Sequence, residues 1–172
     1  MRAASYSAAE TLRDGRRVEI RALARSDQAE LMAAVGRSSA ASLYRRFFAV
    51  RRDFSDKEIE FFLNADFTDH VALVAVMQQG GRDLIVGGGR YIVVRPGTAE
   101  LAFMVEDGCQ GQGIGGVLMR HLVTLARRAG LKQLIAEVLP ENLPMLQVLE
   151  KSGLGLTRKQ EDGVLHLTLS LS

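Results

Sequence analysis

The sequence predicts one α/β domain, a mixed and mostly antiparallel sheet of about seven strands with helices on both faces. Three observations point there. Apolar residues alternate with period two in short segments separated by glycine turns. Other runs switch to helical spacing, the longest of them Val117–Ala129. Between Ala99–Val105 and that long run lies a glycine-dense loop, Gln110–Gly116, in the order strand, bare-backbone loop, helix start. A chain of 172 residues suits one domain with a sizeable core, and no shift in composition divides it. Residues 1–15 read as a loosely held, flexible leader ending at the turn Asp14-Gly15, and residues 16–172 as the domain.

Arg16–Leu23 alternates, with Val18 and Ile20 on one face, and is the first strand. Ser26-Asp27 offers N-cap chemistry to a short helix marked by Ala29, Leu31, Met32 and Val35. Ser38–Val50 is a second helix, with Leu43, Phe47 and Val50 on one side and Tyr44 and Phe48 beside them. That aromatic stripe is either core packing or one wall of a substrate groove. Ser55-x-x-Glu58 has capping-box form before Ile59, Phe61, Phe62 and Leu63, which gives a third helix.

From His70 the period changes. Val71–Met77 is apolar and β-branched, and Gly80-Gly81 supplies a hairpin turn. Asp83–Val94 is the next strand, weakened or bulged at Gly87-Gly88-Gly89. Pro96-Gly97 turns the chain into Ala99–Val105, so three strands form an antiparallel meander. The long helix follows, with Arg120, Thr124, Arg127 and Arg128 outward and Gly130 as its C′ residue. Leu131–Leu139 is reached across that helix and therefore runs parallel to Ala99–Val105. Asn142 caps a shorter helix ending near Lys151, and Leu156–Lys159 with Val164–Leu171 form a closing hairpin.

Composition excludes several functions. No run of 18 apolar residues exists to span a membrane, and the N-terminus lacks the apolar core of a secretory signal. A cytoplasmic location is expected. The lone Cys109 has no internal disulfide partner, and it and the three histidines lack metal-ligand spacing. A formal charge of +2 is too small to indicate nucleic acid.

The glycine loop is the strongest functional signal. Gln110-Gly111-Gln112-Gly113-Ile114-Gly115-Gly116 has no terminal Lys-Ser/Thr, so it is not a Walker A loop. It follows a late strand of a meander rather than the first strand of a βαβ unit, which is not the Rossmann arrangement. Four glycines in six residues running straight into a helix suit a diphosphate or similar anion held by backbone amides.

Those residues carry a family resemblance. Gln110-Gly111-Gln112-Gly113-Ile114-Gly115 matches the Q/R-x-x-G-x-G/A motif of the GCN5-related N-acetyltransferases (GNAT), set between a strand and a long helix as in that family. Glu137-Val138-Leu139-Pro140-Glu141-Asn142 and Met145–Gly153 resemble the family's fifth strand and fourth helix. Thr11–Gly15 with Ile20-Arg21, Ser42–Phe48 and Ala99–Ala102 resemble, more closely, the acetyltransferase domain of bacterial protein-lysine acetyltransferases. The resemblance implies a GNAT fold with a splayed fourth and fifth strand and acetyl-CoA as acetyl donor. It implies that Phe103, Met104 and Val105 line the pantetheine slot and that Gln110 to Gly116, Ile114 included, cradle the diphosphate. Asn142 and Met145 would meet the pantetheine or thioester region.

Acetyl transfer needs a neutral amine, and a lysine has pKa about 10.4, so a base is required. Glu100 is the first candidate, because a carboxylate sharing its strand face with Ala102 and Met104 is costly unless paired or used, and the subgroup resemblance gives the matching glutamate this role. Glu137 on the adjacent strand is the second. The position matching the family's tyrosine general acid is Leu149; Tyr91 is a weak substitute, and Cys109 lacks a histidine partner for covalent catalysis. His121 and His166 read as surface residues. The expected activity is direct attack by an amine in a ternary complex, the acceptor being a protein lysine, on a partner with an acidic surface that would suit the basic segment Tyr44–Arg52. A small-molecule amine, or a non-catalytic acyl-CoA-binding sensor, are the alternatives. A monomer or a homodimer is expected.

Overall fold

The computed structural model describes residues 3–37, 56–105 and 113–172. The helix predicted over 38–50, with its aromatic stripe, lies outside them, as do Cys109, Gln110, Gly111 and Gln112. The strands are β1 (Ser7–Thr11), β2 (Arg17–Ala22), β3 (His70–Gln79), β4 (Arg82–Arg95), β5 (Thr98–Val105), β6 (Gln133–Val138), β7 (Gly155–Glu161) and β8 (Val164–Ser170). The α-helices are α1 (Gln28–Arg37), α2 (Asp56–Leu63), α3 (Ile114–Arg128) and α4 (Leu143–Glu150). One sheet of eight strands, in the order β1-β2-β3-β4-β5-β6-β8-β7, replaces the expected seven or so.

The additional strand is β1, which falls inside the segment read from sequence as a leader. It pairs antiparallel with β2 from Ser7↔Arg21 to Thr11↔Arg17. Tyr6 and Leu12 are buried at its two ends and anchor it, although the strand between them is only half-covered on one side.

Alternation along the strands separates two cores. On one face Ile20, Leu73, Tyr91, Leu101, Leu134 and Leu169 pack with Leu118 and Leu122 of α3 and Leu149 of α4. On the other, Leu23, Ala72, Val74, Val76 and Ile85 pack with Leu63 of α2 and Leu31 of α1. The helices therefore cover both faces, as period two in the strands requires when each face is apolar.

The triple glycine of β4 explains how closely α3 lies on the sheet. A methyl group on Gly89 would come within 2.8 Å of Phe103 Cδ1 and 3.0 Å of Leu122 Cδ1. On Gly87 it would come within 3.2 Å of Ile114 Cγ2. The register shifts beside this stretch, from Ala75↔Gly87 to Val76↔Ile85, so Val86 is the extra residue of a bulge.

β5 and β6 are the parallel pair predicted from the helical crossover. They pair at Thr98↔Gln133, Ala99↔Leu134 and Glu100↔Ile135. Both strands continue, to Val105 and to Val138, without further pairing to each other. The sheet is splayed at that point.

Candidate active site

The start of α3 is shaped by its glycines, each in a different way. Gly113 is the N-cap with φ of 93°, a left-handed conformation that suits glycine and leaves no side chain over the first turn. Gly115 sets the approach of α4, since a methyl there would lie 3.0 Å from Val148 Cγ2. A methyl on Gly116 would meet nothing within 4 Å, so this position opens onto free space. The amides of Ile114, Gly115 and Gly116 belong to the first turn, where the helix has no acceptors of its own and the dipole favours an anion.

That free space is a cavity of about 640 Å³. Phe103, Met104 and Val105 line it from the splayed end of β5; Gly113 to Gly116 line it from α3, and Asn142, Met145 and Val148 from α4. The sequence-predicted binding residues that fall among the described ones thus share one cavity. Asn142 also caps α4, where its Oδ1 accepts the Met145 N–H at 3.3 Å.

Glu100 stands at the last paired position of β5 and β6, opposite Ile135, with Ile92 of β4 on its other side. It is exposed on the sheet face away from α3, so the desolvation cost argued for it from sequence does not arise. Alternation carries Thr98, Glu100, Ala102 and Met104 to one face while Leu101 enters the main core. Glu137 lies on the same face of β6, beyond the last paired position, exposed and 3.6 Å from His166 Nδ1. The two carboxylates therefore occupy opposite banks of the opening.

Leu149, Tyr91 and His121 are all buried. Leu149, the position matched to a tyrosine acid, is fully buried in the core, and α4 turns Met145 and Val148 to the cavity instead. Tyr91 is buried on the core face, and burial pushes its hydroxyl up to about 12, which removes it from acid–base work near neutrality. His121 is buried rather than superficial. Its Nδ1 accepts the hydroxyl of Tyr6, and its Nε2–H donates to Glu10 at 2.7 Å. Glu10 also holds Arg120 at 2.9 Å.

His70 opens β3 on the Glu100 face, where it stacks on Phe61 with ring centroids 5.1 Å apart and lies 2.9 Å from Arg90 Nη1. Burial first, and the Arg90 guanidinium second, push its imidazole down to about 4, so it is neutral and Nε2 accepts from Arg90.

Sequence reasoning passed over several residues that line the cavity. Arg120, Thr124 and Arg127 do so from α3, Lys151 and Ser152 from the end of α4, and Thr11 and Arg13 from the end of β1 and the turn after it. The α3 residues carried a signal, because Gly113, Gly116, Arg120, Thr124 and Arg127 fall at helical spacing on one face. Arg13 carried none; only the fold brings it to Gly113.

Comparison with known proteins agrees with this geometry. The profile of the Acetyltransferase (GNAT) family matches residues 37–154. A Pseudomonas aeruginosa acetyltransferase is 34% identical over 126 residues, spanning 73% of this chain and 68% of that protein. Acetyltransferase Pat of Mycolicibacterium smegmatis is 35% identical over 119 residues, 67% of this chain, and the match spans only 34% of Pat. The crystal structure of the GNAT domain of S. lividans PAT superposes with a TM-score of 0.86 at 34% identity, covering 95% of this chain and 96% of that one.

Proposed function

The chain belongs to the acetyltransferase (GNAT) family and is an acetyl-CoA-dependent N-acetyltransferase; on that premise we propose that its acceptor is a protein lysine side chain, attacked directly in a ternary complex with Glu100 as general base. The observation that carries this reading is the opening of β5 from β6 past Glu100, whose far end, Phe103 to Val105, lines the same cavity as the glycine N-terminus of α3.

The amides of Ile114 to Gly116 hold the diphosphate of the donor, with the macrodipole of α3 behind them. Phe103, Met104 and Val105 flank the pantetheine arm, and Asn142 offers its Nδ2, since its oxygen caps α4. The acceptor reaches the thioester from the face that carries Glu100. Its ammonium group, near pKa 10.4 when unperturbed, gives a proton to the Glu100 carboxylate, directly or through one water. The nitrogen lone pair then forms the C–N bond as the C–S bond breaks; the nitrogen loses its second proton to solvent as the amide forms, and the leaving thiolate takes one up from solvent. Glu137 is the weaker candidate base, because it stands beyond the last rung and beside His166.

The lysine acceptor is supported by the resemblance of Thr11–Gly15 and Ala99–Ala102 to bacterial protein-lysine acetyltransferases, and by the similarity to Pat and to the S. lividans PAT domain. An acidic surface on the acceptor protein would suit the basic segment 44–52, which lies outside the described residues.

The test is acetyl-CoA consumption by the purified protein against lysine-bearing proteins and a panel of small amines. Acetylated lysine is expected by mass spectrometry, and Glu100→Gln should lower kcat about 10²- to 10⁴-fold while acetyl-CoA still binds. Turnover confined to small amines would overturn the acceptor; an undiminished rate in Glu100→Gln would overturn the base.

A further inference from the structure

The donor cavity has a rim of one sign. Arg13, Arg120, Arg127 and Lys151 line it, and no carboxylate does among the described residues. The whole chain carries 22 basic and 20 acidic residues, so this asymmetry is local. Two of the cations, Arg120 and Arg127, stand on the same face of α3 as Gly113 and Gly116; Arg120 also pairs with Glu10 at 2.9 Å, and Arg127 Nε donates to Leu171 O at 3.2 Å.

Arg13 comes from elsewhere. It lies in the turn between β1 and β2, about one hundred residues from the loop motif by the numbering. A methyl group on Gly113 would come 3.6 Å from its Nε. The turn that presents it is built, not loose. Leu12 N–H donates to Arg16 O at 2.8 Å, Gly15 N–H to Leu12 O at 3.0 Å, and Arg16 N–H to Asp14 Oδ1 at 3.0 Å. Leu12 is buried beneath it. The same hairpin is joined to α3 by Glu10, which accepts from both Arg120 and His121, and by the Tyr6 hydroxyl on His121. Those bonds fix the distance between the turn and the helix start.

We propose that Arg13, presented by the β1–β2 turn and backed by Arg120, is a phosphate-recognition residue for the nucleotide end of acetyl-CoA, outside the glycine loop. The inference rests on the donor assignment above. A guanidinium offers two parallel N–H groups to a phosphate, which complements backbone amides that approach from the helix. The diphosphate and the 3′-phosphate present the same chemistry to it.

Calorimetric titration of the full chain with coenzyme A and with 3′-dephospho-coenzyme A tests the proposal and separates the two phosphates. Arg13→Gln should weaken coenzyme A binding roughly tenfold to a hundredfold, with Arg13→Lys recovering part of the loss. If the 3′-phosphate is the partner, the dephospho compound binds wild type and Arg13→Gln alike; if the diphosphate is, both ligands weaken together. The KM for S-acetylpantetheine, which carries no phosphate, should not move, whereas a merely structural role for the hairpin would raise it. Arg13 is exposed, so the variant should keep the wild-type melting temperature. Equal affinity of wild type and Arg13→Gln for both nucleotides would overturn the proposal alone. Failure of wild type to bind coenzyme A would overturn the donor assignment instead.

Discussion

The two sides of β5 make opposite uses of one strand. Toward β4 it is paired from end to end, from Val93↔Ala99 and Arg95↔Thr98 to Gly87↔Val105, with Gly89 making room for the Phe103 ring. Toward β6 it is paired only from Thr98 to Glu100, and its last three residues, Phe103 to Val105, line the cavity. The same three residues, Phe103 to Val105, thus belong to a close-packed sheet on one side and to a cavity wall on the other. Stability and binding are divided across a single strand, and substitutions on its two sides should divide in the same way.

The largest effect is expected at the point where the two regimes meet. Glu100→Gln should cost about two to four orders of magnitude in kcat, with little change in the urea midpoint, because the residue is exposed. A large loss of stability would show that Glu100 holds the rung rather than the proton. On the closed side, Gly89→Ala drives a methyl into Phe103 and Leu122. It should destabilise by about 1–3 kcal/mol, read from denaturant unfolding. On the open side, Gly113→Ala forces a side chain into a left-handed N-cap, a cost of about 1–2 kcal/mol. That strain should lower the melting temperature and, unlike Gly89→Ala, should also raise the donor KM, because the residue lines the cavity. If the two glycine variants exchanged these signatures, the division across β5 would be wrong.

The smallest effect concerns pH on the closed side, where His70, Ile92 and Glu100 lie in one cross-strand row. Burial, and then Arg90, hold the folded-state pKa of His70 at about 4, against 6.5 for a free imidazole side chain. The unfolded chain therefore takes up this proton before the folded one does. Stability should decline as pH falls from 6.5 towards 4 and gain no further slope from His70 below that. His70→Asn should flatten the decline in urea midpoint across that window. Asp27 acts lower. Its burial opposes ionisation, but the bidentate Arg21 contact and the Ala24 N–H outweigh it and hold the carboxyl below the usual range, so its contribution is lost only under stronger acid.

Much of the fold could be read from the sequence because its signals are local. Gly130 and the apolar stripe Leu118, Leu122, Leu125 and Ala126 mark α3, and four alternating leucines mark β8. β1 escaped because an edge strand with one half-covered face needs little apolar alternation; Ser-Ala-Ala-Glu-Thr supplies almost none, and only Tyr6 and Leu12 outside it betray an anchored segment. His121 is a different failure. Its spacing from Leu118 and Leu125 places it on the core face, yet the partners that make a buried imidazole tolerable, Tyr6 and Glu10, lie more than a hundred residues away. The glycine-dense run into the start of α3 was legible from its composition. The end of the β5–β6 pairing at Glu100 was not, because no property of Leu101 to Val105 distinguishes a paired strand from an open one; family resemblance alone implied it. The long-range members of the cavity, Arg13 above all, depend on topology.

Mechanically, the sheet is two plates rather than one. β1 to β5 form a five-stranded plate and β6, β8 and β7 a three-stranded one, joined by the three rungs at Thr98–Glu100. Among the described residues, α3 and α4 span the plates at the far end, and the close approach of Val148 to Gly115 sets their spacing there. An occupant of the cavity would meet β5 on one plate and α4, which follows β6, beside the other, and so would act as a splint across the free end of a hinge. Amide exchange in β6 and β8 should slow when the slot is filled, even at residues that never meet the ligand, by up to the linkage free energy of about 2.7 kcal/mol at a hundredfold excess over Kd.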